Sequence, residues 1–399
     1  MSRALPKFIP RSGPVILLIL TVAAATGFAA VGHLVARFNA NQQARGHKLY
    51  EQGLTDASAG HYDAAIAAFR AALTCDPGNS QYQLSLARAL RDSNVPARLD
   101  EAESYLTALW QRTPQDGAVN LALARVAAHR GNTDDATRYY HNAMYGVWAA
   151  NFDSNRHKAR VELIQFLLKQ NAREKADSEL IALAAALPAD PDAHLQAAQL
   201  FAEAQDYSNA LAQCREVLHF DAKNAAALSC AGEAAYDAGN YTVAQRYLQA
   251  AVNANPQDAN MRRLLQTAEL VLSANPFRSH ISDAERNRRI AAAFAQAEQR
   301  LTACARQTGV DLKATANPTG SAGVNAGVKN QPLADLQSRW TATKPDLIRL
   351  RSAAEADLPD AVMDVVFQIE RQTAASCGEP QALDEALLLI SQKREATSQ

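Results

Sequence analysis

Small, large and helix-stopping residues recur along this chain at offsets of about 34 residues. Within 225–258 they are Gly232, Tyr236, Gly239, Tyr241, Ala244, Leu248, Ala251 and Pro256, and within 46–79 they return as Gly53, Gly60, Tyr62, Ala65, Phe69, Ala72 and Pro77. Apolar residues at helical spacing on either side of a glycine-marked turn predict two antiparallel helices per unit. The small residues let the two helices approach closely, and the large residue plugs the next interface. Proline ends the second helix because it lacks the N–H that continuation needs.

Four further units follow the same register less strictly. Residues 80–116 keep Ala87, Ala102, Leu106 and Pro114 but carry about three extra residues, expected in a longer turn around Ser93 to Pro96. Residues 117–147 keep Ala124, Gly131, Ala136, Tyr140 and Ala143. Trp148 stands where the stop proline belongs, so the second helix is expected to run on, with Ala149 to Asn155 as a link. In 157–190, Ile164 and Arg173 replace the small and aromatic residues while Ala176, Leu180, Leu183 and Pro188 hold the register. Residues 191–224 carry Ala198, Tyr207, Ala210 and Val217.

Met261, Leu264, Leu265, Ala268 and Leu272 then predict one more amphipathic helix over 259–273, which caps the array by covering its last apolar side. A helix over 282–307 opens on Ser282 and Glu285, the spacing of a capping box. Residues 308–331 are Gly/Ala/Asn-rich and nearly uncharged and read as a flexible loop. Helices near 332–355, 359–376 and 380–394 follow, the first broken before Pro345. Val362, Val365, Val366 and Ile369, and Leu383, Leu387, Leu388 and Ile390, give the last two dense apolar faces. These predict a small bundle with 282–307, docked on the array.

At the other end, Arg3, Lys7 and Arg11 precede an uncharged stretch from Pro14 to Ala36, and about 20 apolar residues suffice to cross a bilayer. The stretch reads as an uncleaved signal anchor. A cleaved signal peptide, with Ala23-Ala24-Ala25 or Phe28-Ala29-Ala30 as the cleavage site, and a buried helix are the alternatives. Arg37, Arg45 and Lys48 beyond the span partly balance the basic tail, which still favours residues 1–13 inside the cytoplasm. The organisation expected is a cytoplasmic tail at 1–13, a transmembrane anchor at 14–36, a repeat array with cap at 46–273, and a C-terminal helical region at 282–394.

The repeat pattern resembles the tetratricopeptide-repeat (TPR) superfamily. That resemblance implies an all-α chain: a right-handed α-solenoid of about six helix pairs plus the C-terminal bundle, preceded by one transmembrane helix. It also implies a concave face built from the first helix of each pair, which holds peptides or helices of other proteins. Carried onto this register, the face has Arg88, Arg91, Arg125, Lys158 and Lys169 in units two to four. Asp192, Glu203, Glu233 and Asp237 follow in units five and six, and Tyr50 and Tyr236 add aromatic surface. The groove so drawn is basic in the middle and acidic towards its end; the alternative is a set of ordinary solvated helix charges. The Lys/Asn clamp with which some TPR domains hold a C-terminal carboxylate is not expected, because Leu84 and Leu121 occupy two of its positions.

Charge and composition narrow the chemistry. With 40 basic and 41 acidic residues, the net charge of −1 gives no reason to expect nucleic acid as a partner. Aromatics are 6% of residues against 48% hydrophobic, and the alanine-rich remainder suits closely packed helices. The five cysteines and nine histidines show no metal-ligand spacing, and no cofactor or nucleophile motif is present. Cys304 and Cys377 lie in segments expected to pack together, so a disulfide and two buried free thiols are both open readings. Cys75, Cys214 and Cys230 read as helix packing. These features lead to a membrane-anchored TPR scaffold, without catalytic activity, that binds other proteins from the periplasmic side of a bacterial inner membrane. A narrower alternative resembles the anchored TPR subunits of cytochrome-maturation, pilus or outer-membrane assembly machines. An enzyme whose catalytic part is the C-terminal bundle is the remaining reading.

Overall fold

The computed structural model describes residues 13–312, 331–350 and 357–398. Residues 1–12 of the tail expected at 1–13 and most of the loop expected at 308–331 lie outside the described residues. Among the described residues every regular element is a helix, and the chain is all-α. It divides into two compact units, residues 1–179 and 180–399.

The first unit begins with α1 (Gly13–Ser58), a single helix of 46 residues. Its N-terminal half is apolar and exposed, with Leu17, Leu20, Phe28, Leu34 and Phe38 all uncovered. Its C-terminal turns enter the first hairpin with α2 (Tyr62–Cys75). Then come α3 (Ser80–Asp92) with α4 (Pro96–Arg112), α5 (Gly117–His129) with α6 (Thr133–Tyr145), and α7 (Phe152–Lys169) with α8 (Arg173–Ala184), which straddles the boundary between the units. The core follows the small-and-large pattern: Ala65, Phe69, Ala72, Ala87, Leu90, Ala102 and Leu106 are buried together. A methyl group at Gly53 would sit 2.6 Å from the Phe69 ring, so only glycine admits this crossing.

Each hairpin turns through one residue with a left-handed backbone: Gly60, Asn94, Gly131, Asn171, Gln205 and Gly239 in chain order. That conformation lets two amides reach back to helix carbonyls, as His61 N–H does to Asp56 O (2.9 Å) and Asn240 N–H to Ala235 O (2.8 Å). Glycine and asparagine adopt it readily.

Three expectations are corrected. The turn at 93–95 has the same length as that at 59–61; the extra residues are a turn of helix in α4, 17 residues against 14 in α2. Pro96 at its first turn allows this, because the missing N–H has no partner there anyway. The third hairpin does not run on: α6 stops at Tyr145, and Trp148 folds back so that its indole N–H donates to Ala143 O (2.9 Å) and its ring fills the space beside Gly117. Finally, α15 (Gln331–Arg349) is not broken before Pro345 but continues through it.

The second unit holds α9 (Pro191–Glu203), α10 (Tyr207–Phe220), α11 (Ala225–Asp237), α12 (Tyr241–Ala254) and the capping helix α13 (Ala259–Ala274). After these come α14 (Asp283–Thr308), α15, α16 (Leu358–Cys377) and α17 (Ala382–Ser398). Ser282 caps α14 through Glu285 N–H (3.2 Å), while the Glu285 carboxylate turns to Arg288 and Arg289. α16 sits among α14, α15 and α17, and α17 packs on α13. The Lys393 ammonium donates to Gly239 O at 2.5 Å and Arg263 pairs with Glu385 at 3.6 Å, so the bundle is seated on the last hairpin and its cap. Cys304 and Cys377 are joined across α14 and α16, with Cα atoms 5.5 Å apart. Cys214 and Cys230, expected as packing residues, instead form a second disulfide between α10 and α11. Cys75 is free.

Candidate peptide-binding face

In the first unit, α3, α5 and α7 are the first helices of successive hairpins, so residues at equal positions along them share one side. Arg88 and Arg91 come from α3 and Arg125 from α5, and the charges of Arg91 and Arg125 both act on the Arg88 guanidinium. Arg125 is held by Glu162 of α7 through two bonds, Nε at 2.8 Å and Nη2 at 2.7 Å, with both side chains mostly covered. That bidentate pair ties α5 to α7 and fixes the plane of the fork. Arg91 donates to its neighbour Asp92 through Nε (2.8 Å) and Nη2 (2.6 Å), leaving Nη1 buried with no acceptor among the described residues.

Arg88 differs from both. Its Nε is buried and has no acceptor among the described residues, and it forms no ion pair there. Burial, and then the like charges of Arg125 and Arg91, pull its pKa below the usual arginine range. A buried donor left without an acceptor costs about 1–3 kcal/mol. Tyr140 stands behind the cluster, its hydroxyl pKa pushed up to about 12 by burial and then by the Glu162 charge. Lys158, two turns into α7, and Lys169, its last residue, are exposed.

The other residues expected on the face are elsewhere. Tyr50 is core, not surface: it stacks on Tyr82 with ring centroids 4.8 Å apart, meets Phe69 at 5.7 Å, and its hydroxyl lies 3.3 Å from Ser85 Oγ. Glu233 accepts from Asn260 Nδ2 of the capping helix at 3.1 Å, and its pKa is raised by burial and then by Asp237 and Asp258. Tyr236 is half-buried, edge-on to Tyr241 at 5.5 Å. These two belong to the seat of the cap. Sequence reading missed Glu162, which comes from the first helix of the next hairpin; the same register position holds Glu51, Ser85, Ala122, Gln196 and Cys230 in the other units, so no pattern marked it.

In the bundle, one cleft of about 290 Å³ is lined by Ser273, Arg288, Arg289, Leu383 and Leu387 among others, and a second of about 400 Å³ by Asn287, Arg288 and Leu347 among others. Neither lining sets a nucleophile beside a base.

Paired helices with small residues at the crossings, a left-handed turn in each, and a face made by the first helix of each pair define a helical-hairpin repeat protein. Two sequence models, each described as tetratricopeptide repeat, match residues 97–144 in one case and 50–95 and 231–272 in the other. Residues 50–95, 97–144 and 231–272 are thus tetratricopeptide repeats. Among solved structures it is similar to PilF of Pseudomonas aeruginosa, at 15% identity over 56% of this chain and 97% of that one (TM-score 0.39). It is also similar to PilW, described as a type IV pilus biogenesis factor, at 18% identity over 55% and 98% (TM-score 0.39). YrrB, described as a TPR protein with an unusual peptide-binding site, matches at 17% identity over 49% and 95% (TM-score 0.36).

Proposed function

We propose that this protein is a membrane-anchored scaffold that holds segments of other proteins outside the cytoplasm, using the α3–α5–α7 face of its first unit. The observation that carries the anchoring is α1, one helix whose first half exposes Leu17 to Phe38 and whose last turns are built into the first repeat. Such an apolar half is costly in water and favourable in a bilayer, and it is long enough to cross one. The fold supports the binding role, because stacked hairpins present an extended side of charged and hydrogen-bonding groups rather than an enclosed pocket.

The direction of crossing is inferred from charge and redox chemistry. Arg3, Lys7 and Arg11 before the span favour a cytoplasmic start. The two disulfides support an oxidising compartment for the remainder, since reducing compartments keep such thiols apart. In a bacterium with two membranes that compartment is the periplasm, with the anchor in the inner membrane. Alkaline phosphatase fused after Arg45 is expected to be active and to stay with membranes after carbonate extraction. An inactive fusion contradicts the topology, and release by carbonate contradicts the anchor.

A further inference from the structure

The basic face holds more donors than its own carboxylates can take. Three guanidinium groups meet Glu162 and Asp92, and those two acids are already engaged by Arg125 and Arg91. What is left over is specific: no nitrogen of the Arg88 guanidinium has an acceptor among the described residues, and only its Nε is buried. Its two terminal nitrogens are therefore the donors within reach of an outside group; Nη1 of Arg91 is also unpaired but covered. A half-covered guanidinium with no acceptor of its own is open to an acceptor from outside through those terminal nitrogens. Like charges from Arg91 and Arg125 further disfavour leaving Arg88 alone. Exposed Lys158 and Lys169 on α7 add a positive approach that would speed encounter with an anion.

We propose that Arg88 anchors a carboxylate of an acidic segment in a partner protein, with Arg91 adding positive charge beside it, making the α3–α5 arginines a site selective for Asp/Glu-rich peptides. This deepens the reading of the face as a protein-binding surface and rests on it. The planar fork of arginine suits a carboxylate bidentately, as Arg125 already shows with Glu162. With 40 basic and 41 acidic residues the chain has no basic excess of the kind a polyanion needs, which favours a peptide with spaced acids over a nucleic acid. The site differs from a Lys/Asn carboxylate clamp in residue type and position, since Leu84 and Leu121 occupy two of the clamp positions.

The test is fluorescence anisotropy with the full chain in detergent micelles and two labelled peptides of equal length. One alternates Glu with Gly and Ala, and the other has Gln in place of every Glu. The expected result is tighter binding of the Glu peptide, weakened by salt and weakened at least about tenfold by Arg88→Met, which keeps the apolar stem. Arg88→Lys is expected to restore only part of the loss, because it returns the charge without the fork. Melting followed by circular dichroism checks that each variant is folded. Equal binding of the Gln peptide, or unchanged affinity in folded Arg88→Met, overturns the acidic specificity and leaves the scaffold reading standing. Binding of neither peptide counts against the face as a peptide site altogether. A single-stranded oligonucleotide bound more tightly than the Glu peptide overturns the choice of partner.

Discussion

Gln205 adopts the left-handed conformation, at φ +66°, that the equivalent turns give to glycine or asparagine. Its side chain has to bear a Cβ contact that glycine avoids, at a cost of about 1–2 kcal/mol. Gln205→Gly is therefore expected to raise stability by about 1 kcal/mol, visible as a higher midpoint in urea. The glycines and prolines of the repeat were legible in sequence because they answer to local geometry. Asn94 and Asn171 were legible only in part: each holds the turn of a hairpin whose register is otherwise weak. Tyr50 was misread for a related reason. A large aromatic at that position can face outward or plug the next interface, and only the nearby Tyr82 and Phe69 decide which.

Glu370 adds a second residue-scale consequence. It is buried in α16 with neither carboxylate oxygen paired, and its pKa is pushed up to about 8 by burial, then by Asp384, with Arg300 opposing. Because the folded value lies above the unfolded one of 4.5, folding holds the proton. The stability tied to that proton is complete below about pH 4.5 and is lost as pH rises towards 8. The second unit is expected to melt at falling temperature over that window, by about 1.4 kcal/mol per pH unit at most. In Glu370→Gln the dependence should flatten; an unchanged pH profile in the variant contradicts the assignment.

At the scale of elements, apolar periodicity located nearly all the helices, because it reports which side of each is covered. What it left out were details set by contacts distant in sequence. Trp148 replaces a stop proline by turning its ring onto Gly117, and the added length of the second hairpin went into α4 rather than into a turn. The α10–α11 disulfide was hidden for the same reason: Cys214 and Cys230 each occupy positions that suit a small apolar side chain, and only the hairpin stacking brings them together. The two bridges close loops with separations of 16 and 73 residues. Chain-entropy arguments assign them about 3 and about 4 kcal/mol. Non-reducing peptide mapping should find both bridges and a free Cys75. Cys214→Ser with Cys230→Ser should lower the melting temperature, with less effect from added reductant than in the parent chain.

For the whole molecule, the two units carry different equipment. The first holds the apolar helix and the arginine face; the second holds both disulfides, the cap and the bundle with its buried acid. The repeats could be read from sequence because one packing rule is written several times over. The candidate site could be read only in outline. Register named Arg88, Arg91 and Arg125, but which arginine is paired and which is left over depends on Glu162 and Asp92, whose roles become visible only with side chains in place.

The most direct test of the scaffold is photocrosslinking in living cells from the full-length chain, with a photoreactive residue at Lys158 on α7 or, as a control, at Ser104 on α4. Discrete adducts with one or a few proteins are expected from Lys158, lost when Arg88 is changed to Met, and none of the same adducts from Ser104. No adduct from Lys158, or the same adducts from both positions regardless of Arg88, would contradict the scaffold.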